Sequence, residues 1–367
     1  MKYIFLPLLL TLACSTQRIP SSSQSYPQLS FKEAELSREF LRQTYPHLSD
    51  DVFEVKFQNS LERPLLFFRS YVNSFYDETH LRGGLKTPVF CYGDSHPENY
   101  GFISFEKTPH YVVNDIDDTG ICPLGLDILR YFSALRLTID DEESLSKLAV
   151  IFEQTVAGKK LEKFDFKRPD LASVNEKQLS KYTKDDKFLA KKNITLLSTL
   201  EKTRIDQQLQ GQMGELKILD ISSYQKNDGG SAGLKRYWLI VATPGGHREL
   251  IEFKQTTAPG VSWSGLSQEF ERIKTPYYVW GRMPDYYGYI ALDGELFMTR
   301  TRADDYLDLA KLSSQEAFKL LSYQVQLMAL FHRENLQKLG GIHSEWIVEG
   351  SRIIAQRYLD AFNRYKR

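Results

Sequence analysis

The stretch from Cys91 to Tyr131 constrains the chain most, because it sets two short apolar runs directly ahead of clustered polar and acidic residues. Val89, Phe90 and Cys91 read as a buried strand whose end delivers Asp94, His96 and Asn99. Tyr111, Val112 and Val113 read as a second, which delivers Asn114, Asp115, Asp117 and Asp118 to a loop. Hard divalent cations take oxygen ligands from a rigid scaffold, and carboxylates gathered at strand ends supply them. So many acidic groups serve no core. The stretch points to metal-assisted phosphate chemistry.

Around it the apolar period changes. From Ser30 the pattern is helical, with Phe31, Ala34, Leu36, Phe40 and Leu41 on one face and Ser30 as the cap ahead of Glu33. A second helix is expected over Leu61 to Tyr76, turning Phe67, Phe68, Tyr71 and Phe75 inward; its Arg69 reads, by itself, as a solvated charge. Strands are expected near 88–92, 100–105 and 110–114, after which Pro123 opens a helix carrying Asp127 and Arg130. An Asp at that position serves a helix dipole. Residues 140–210 are helical and charged, with a Lys- and Asp-rich connector from Lys159 to Lys187. From Glu215 the period is two: Leu216–Ile221, Tyr237–Val241 and Leu250–Gln255 read as strands, with a glycine loop over 227–233 and Lys254 near the end of the third. A helix over Leu266 to Ile273, a hairpin turning at Asp293-Gly294, and helices Ser314–Leu339 and Glu345–Tyr365 complete the pattern. His332 reads as a core or surface histidine.

Several blocks carry a resemblance. Asp94-Ser95-His96-Pro97-Glu98-Asn99 resembles the catalytic loop of the aminoglycoside phosphotransferase and choline kinase group, in which an Asp is followed five positions later by an Asn. Phe68-Arg69, Gly93-Asp94-Ser95-His96, Asn99-Tyr100-Gly101, Asn114-Asp115-Ile116-Asp117-Asp118 and Asp127 with Arg130 resemble a bacterial family known as domain of unknown function 2252. The resemblance implies an α+β, two-lobed, protein-kinase-like fold with a mostly helical lobe and a smaller antiparallel β-sheet lobe. The catalytic and metal loops come first in the chain, the glycine loop and Lys254 second, and the helix that should precede the catalytic loop last. That order implies a circular permutation, which is tolerated where the original termini lie close together.

The implied roles follow. Asp94 is the catalytic base and His96 shapes its loop; Asn99, Asp115 and Asp117 hold Mg2+. Gly229, Gly230, Ser231, Gly233 and Lys254 bind the phosphates of ATP. Arg69, Asp118, Asp127 and Arg130 support them. Glu269 and Glu271 are both available as a partner for Lys254, while Thr275 stands where the resemblance implies a Glu. The activity implied is transfer of a phosphoryl or nucleotidyl group to an unidentified small-molecule or protein acceptor. Two alternatives stay open: a non-catalytic ligand-binding protein on the same fold, and a metal-dependent phosphatase, since Asp94-Ser95-His96 has the Asp-x-His form.

Composition bounds the partners and the compartment. Lys plus Arg and Asp plus Glu both number 47, and no basic run is interleaved with aromatics, so nucleic acid is not an expected partner. Lys2, the apolar run Tyr3–Leu12 and Ala13-Cys14 resemble a bacterial lipoprotein signal. The expected organisation is a signal over 1–13, a flexible tether over 14–30 starting at a lipidated Cys14, a helical lobe over 31–214, a β-rich nucleotide-clamping lobe over 215–310, and C-terminal helices over 311–367 packing on the helical lobe. Ser15 favours the periplasmic face of the outer membrane. That location is poor in ATP, so either the nucleotide source is unusual, or the fold is kept for ligand binding, against which the presence of Asp94, Asn99, Asp115 and Lys254 together counts, or the export reading is wrong. Cys91 and Cys122 could bridge in an oxidising periplasm, but two cysteines make no framework and no bridge is predicted; Cys91 reads as a small buried hydrophobe.

Overall fold

The computed structural model describes residues 27–139, 141–226, 233–256, 259–261, 272, 274–303 and 305–367. The leader with Cys14, the glycine-loop residues Gly229, Gly230 and Ser231, and the candidate partners Glu269 and Glu271 lie outside these.

The chain is mixed α+β. Its period-two segment, joined by the earlier strand Ile194–Leu196, builds a six-stranded antiparallel sheet in the order Gly288–Leu292, Glu295–Thr301, Arg248–Gln255, Arg236–Ala242, Lys217–Tyr224, Ile194–Leu196. Each face has its own apolar core. Leu239, Val241, Ile251, Phe253 and Phe297 belong to one; Trp238, Ile240 and Leu250 belong to the other, under Leu179 and Phe188. Alternate residues of a strand share a face, so Leu250, Glu252 and Lys254 all point to the second side. Register sets Trp238 opposite Glu252, Arg236 opposite Lys254 and, on the other neighbour, Arg300 opposite Glu252. That face therefore changes along its length from apolar to charged. At the hairpin turn Asp293 and Gly294 have φ of 54° and 74°, the left-handed pair that such a two-residue turn requires.

The motif region is built from two short antiparallel pairs, Pro88–Cys91 with Gly120–Pro123 and Tyr100–Phe105 with Thr108–Val113. Helix Leu124–Arg136 follows and is buried on all sides as far as Leu135. Helix Ser314–Lys338 packs along Glu142–Val156, and Ser344–Lys366 along Leu124–Arg136, so the last two helices enclose the segment after the motif. The first and last segments also meet: Arg357 donates to the carbonyls of Glu33 and Ala34, and the Tyr365 hydroxyl to that of Leu36 at 2.7 Å. No helix among the described residues is long and apolar enough to cross a membrane.

Several local expectations are corrected. Gln28–Phe31 is a strand paired with Thr79–Arg82, and the helix starts at Arg38 with the Ser37 hydroxyl accepting from the Phe40 amide. The edge of Thr79–Arg82 is a partner that no local pattern reveals. The helix expected over Leu61 to Tyr76 is broken: Asp50–Ser60 ends before it, Pro64 starts a helix to Ser70, and Tyr71 leaves helical geometry before Val72–Glu78. Proline suits a first helical position because its missing N–H is not needed there. The connector contains helix Leu171–Tyr182, capped by Asp170, with Leu171, Asn175 and Leu179 buried at four-residue intervals.

Cys91 and Cys122 form a disulfide, which the sequence left open and did not predict. Val89 sits opposite Cys122 and Cys91 opposite Gly120, which brings the two cysteine Cα atoms to 5.9 Å; burial and bridging coexist. The bridge closes a loop over a separation of 31 residues that contains Asp94, Asn99 and the acidic loop. Closing a loop of that length is worth about 3–4 kcal/mol. Replacing both cysteines by Ala is expected to lower the urea midpoint correspondingly under non-reducing conditions. An unchanged midpoint would show that the bridge carries no stability.

Candidate functional site

One carboxylate holds the loop after Cys91. Asp127, fully buried at the start of helix Leu124–Arg136, accepts from the amides of Tyr92 (2.9 Å) and Gly93 (3.1 Å) and from the Ser95 hydroxyl (2.8 Å). His332 Nε2, from the long helix, lies 2.8 Å from its second oxygen. One turn on, Arg130 donates to Asp94 at 2.6 Å while its guanidinium lies over the rings of Phe68 and Phe75, at 4.7 and 5.0 Å. Positions three apart share a helix face. One helix thus fixes both the loop backbone and the Asp94 side chain. Asn99 Nδ2 donates to the Asp94 carbonyl at 2.6 Å and closes the loop. His96 is buried with Nε2 3.4 Å from Asp94.

The acidic loop is pressed against this one. Gly93 has φ of 78°, and a Cβ there would lie 1.9 Å from the Asp118 carbonyl oxygen, so only glycine permits the approach. The Asn114 amide donates to the Asn99 carbonyl at 2.9 Å. Lys254 reaches in from the sheet, 3.3 Å from Asp115 and 2.5 Å from Asp117, and Arg300 lies 3.3 Å from Asp115. Asp118 turns away to accept from the Gly260 amide at 3.0 Å. Arg69 does not touch Asp94; it pairs with Glu98, as does Arg63 at 2.7 Å. Gly233 closes the base of the glycine loop, its amide donating to the Lys226 carbonyl at 3.1 Å. Thr275 begins a short 3-10 segment.

Between the acidic loop and the sheet lies a cavity of about 280 Å³. Arg69, Lys226, Arg236, Arg300 and Arg302 line it, with Asn99, Asp115 and Glu252 among their neighbours. Burial would raise the Asp94 carboxyl, but His96 and Arg130 outweigh it and hold the group well below the usual range. Burial likewise opposes ionisation of Asp127 and Glu252. His332 and the loop donors hold Asp127 low, and Arg300 and Arg236 hold Glu252 low. Asp118 goes the other way, pushed up to about 7 by burial first and then by Asp117 and Asp94. Burial also lowers Lys226 to about 8 and Lys56 to about 7.

Residues 49–157 match the model of a bacterial family, described as uncharacterized protein conserved in bacteria (DUF2252). This supports the family resemblance read from the sequence. No curated protein and no solved structure matches the chain. The matched segment contains Lys56, Arg69, both loops, Asp127 and Arg130, whereas Lys254, Arg300 and His332 lie beyond it.

Within and beyond that segment, sequence reasoning missed parts of the site. His332 is the core histidine that one of its two readings allowed, and what the sequence did not show is its partner, Asp127 at 2.8 Å. The network of Glu252 with Arg236 (3.0 Å) and Arg300 (2.7 Å) was signalled by a Glu two positions before Lys254, between the apolar Ile251 and Phe253. Lys56, whose ammonium lies 4.6 Å from the Tyr45 ring centroid, sits on a helix that the periodicity did not separate.

Because Asp127 and Glu252 titrate lower folded than unfolded, the stability from their ionised forms is present above about pH 4 and is lost as pH falls toward their folded values. Urea midpoints should drop steeply below about pH 4, with a shallower drop in Glu252→Gln. Equal slopes for the two proteins would contradict this assignment.

Proposed function

We propose that the protein is a magnesium-dependent phosphotransferase of circularly permuted, protein-kinase-like architecture, moving a phosphoryl or nucleotidyl group from a nucleotide to an acceptor hydroxyl. The observation that carries this reading is the meeting of Lys254 with Asp115, 139 residues apart, beside a charged cavity that Asn99 and Asp115 line, with Asp94 on the loop that Asn99 closes. Lys254 on the second strand after a glycine loop, Asp127 bracing the loop of Asp94, and the meeting of the first and last segments all suit a permuted kinase-like chain.

The residues fit a magnesium ion. Asp115 and Asp117 lie side by side at one ammonium, and Asn99 uses its Nδ2 on the Asp94 carbonyl, which leaves Oδ1 to accept. Such an all-oxygen set suits a hard cation. Held there, Mg2+ would neutralise charge on the phosphates. Asp94, kept ionised by Arg130, accepts the hydrogen bond of the acceptor hydroxyl and orients it. A weak base suffices, because transfer of this kind passes through a loose transition state governed by alignment and charge. Lys254 and Arg300 position the donor's phosphates. In this reading Cys14 tethers the domain to the cell envelope.

The test is thermal unfolding with ATP and Mg2+. At about 100 times its dissociation constant a ligand stabilises the fold by about 2.7 kcal/mol. A magnesium-dependent rise in Tm is expected in the wild type and should vanish in Asp115→Ala and Lys254→Ala. A rise that survives both substitutions, or that ignores Mg2+, would contradict the proposal.

A further inference from the structure

A purine is held largely by stacking on apolar or aromatic surface, worth about 1–3 kcal/mol per base. The sheet face beside the cavity offers charge instead. Two positions before Lys254 on that face stands Glu252, bound to Arg236 at 3.0 Å, to Arg300 at 2.7 Å and to the Trp238 indole N–H at 3.2 Å. Farther along, the apolar part of the face is already covered. Trp238, Ile240 and Leu250 pack with Leu179 of helix Leu171–Tyr182 and with Phe188, and Tyr224 stacks on Trp238 at 4.1 Å between centroids. Among the described residues the chain's own side chains cover this apolar surface; of the two aromatics that line the cavity, Tyr224 is the one stacked on Trp238, and Tyr306, at the exposed rim, lies beside Gly101.

The same cavity is rich in groups that recognise phosphate. Among the described residues five cationic side chains line it against three carboxylates, Glu98, Asp115 and Glu252. Four of the cations are arginines, whose planar forks match phosphate oxygens in pairs. Lys254 adds a further cation immediately behind Asp115.

We propose that this cavity recognises the phosphate chain of its ligand and not a base, so that an inorganic polyphosphate occupies it as a nucleoside triphosphate does. The inference rests on the phosphotransferase reading and narrows its donor to any linear phosphate chain.

Isothermal titration of the full-length protein with ATP, GTP and inorganic tripolyphosphate, each with Mg2+, tests it. The three dissociation constants should agree within about threefold, since a base slot worth 1–3 kcal/mol would separate them by about tenfold or more. Arg302→Gln, at a side chain 23% exposed and so tolerant of change, should weaken all three alike by about tenfold. ATP binding about tenfold tighter than tripolyphosphate, or a loss confined to one nucleotide, would overturn the inference while leaving the phosphotransferase reading intact. Binding of none of the three would remove that reading, and the inference with it.

Discussion

The Asp127 carboxylate has no contact with solvent and accepts from two backbone amides, a hydroxyl and an imidazole. Burying a charge is costly unless every lone pair finds a donor. Here the donors come from the loop after Cys91 and from helix Ser314–Lys338, so one satisfied anion ties the motif to an element more than two hundred positions away, across a separation of 205. The geometry of Asp94 and Asn99 follows from that tie. Gly93 then lets the acidic loop approach within contact of the braced backbone.

The sheet supplies the other half of the site through strand alternation alone. A single strand, Arg248–Gln255, sends Ile251 and Phe253 into one core and Leu250, Glu252 and Lys254 to the opposite face. Its neighbours answer in register with Arg236 and Arg300. Lys254 then spans Asp115 and Asp117; burial opposes ionisation of both, Lys254 and Arg300 outweigh it and hold Asp115 low, and burial with the Asp115 charge pushes Asp117 up. A pair of carboxylates held so close creates a demand for positive charge that one ammonium meets only in part.

Much of this was legible in the chain. The strands around 88–91, 100–105 and 108–113, the Asp293-Gly294 hairpin and the two C-terminal helices follow from periodicity and turn chemistry, because those signals are local. Asp94, Asn99, Asp115 and Asp117 stand out because a core has no use for them. The misses are non-local. Gln28–Phe31 is a strand only because Thr79–Arg82 offers an edge; Cys91 and Cys122 bridge only because their strands pair; His332 gains its role only when the last helices fold back. Three-residue Ile194–Leu196 is too short to announce itself, and joins the sheet by pairing with Lys217–Tyr224.

The claim on which everything else rests is that the acidic loop holds a divalent metal together with a phosphate chain. Electron paramagnetic resonance of free Mn2+ measures this directly, because the sharp signal of the aquo ion fades on binding. With triphosphate present, the wild-type protein should remove more Mn2+ from solution than protein and triphosphate do separately, and Asp115→Asn should abolish the excess. Mn2+ uptake that is indifferent to triphosphate, or unchanged in Asp115→Asn, would contradict the account.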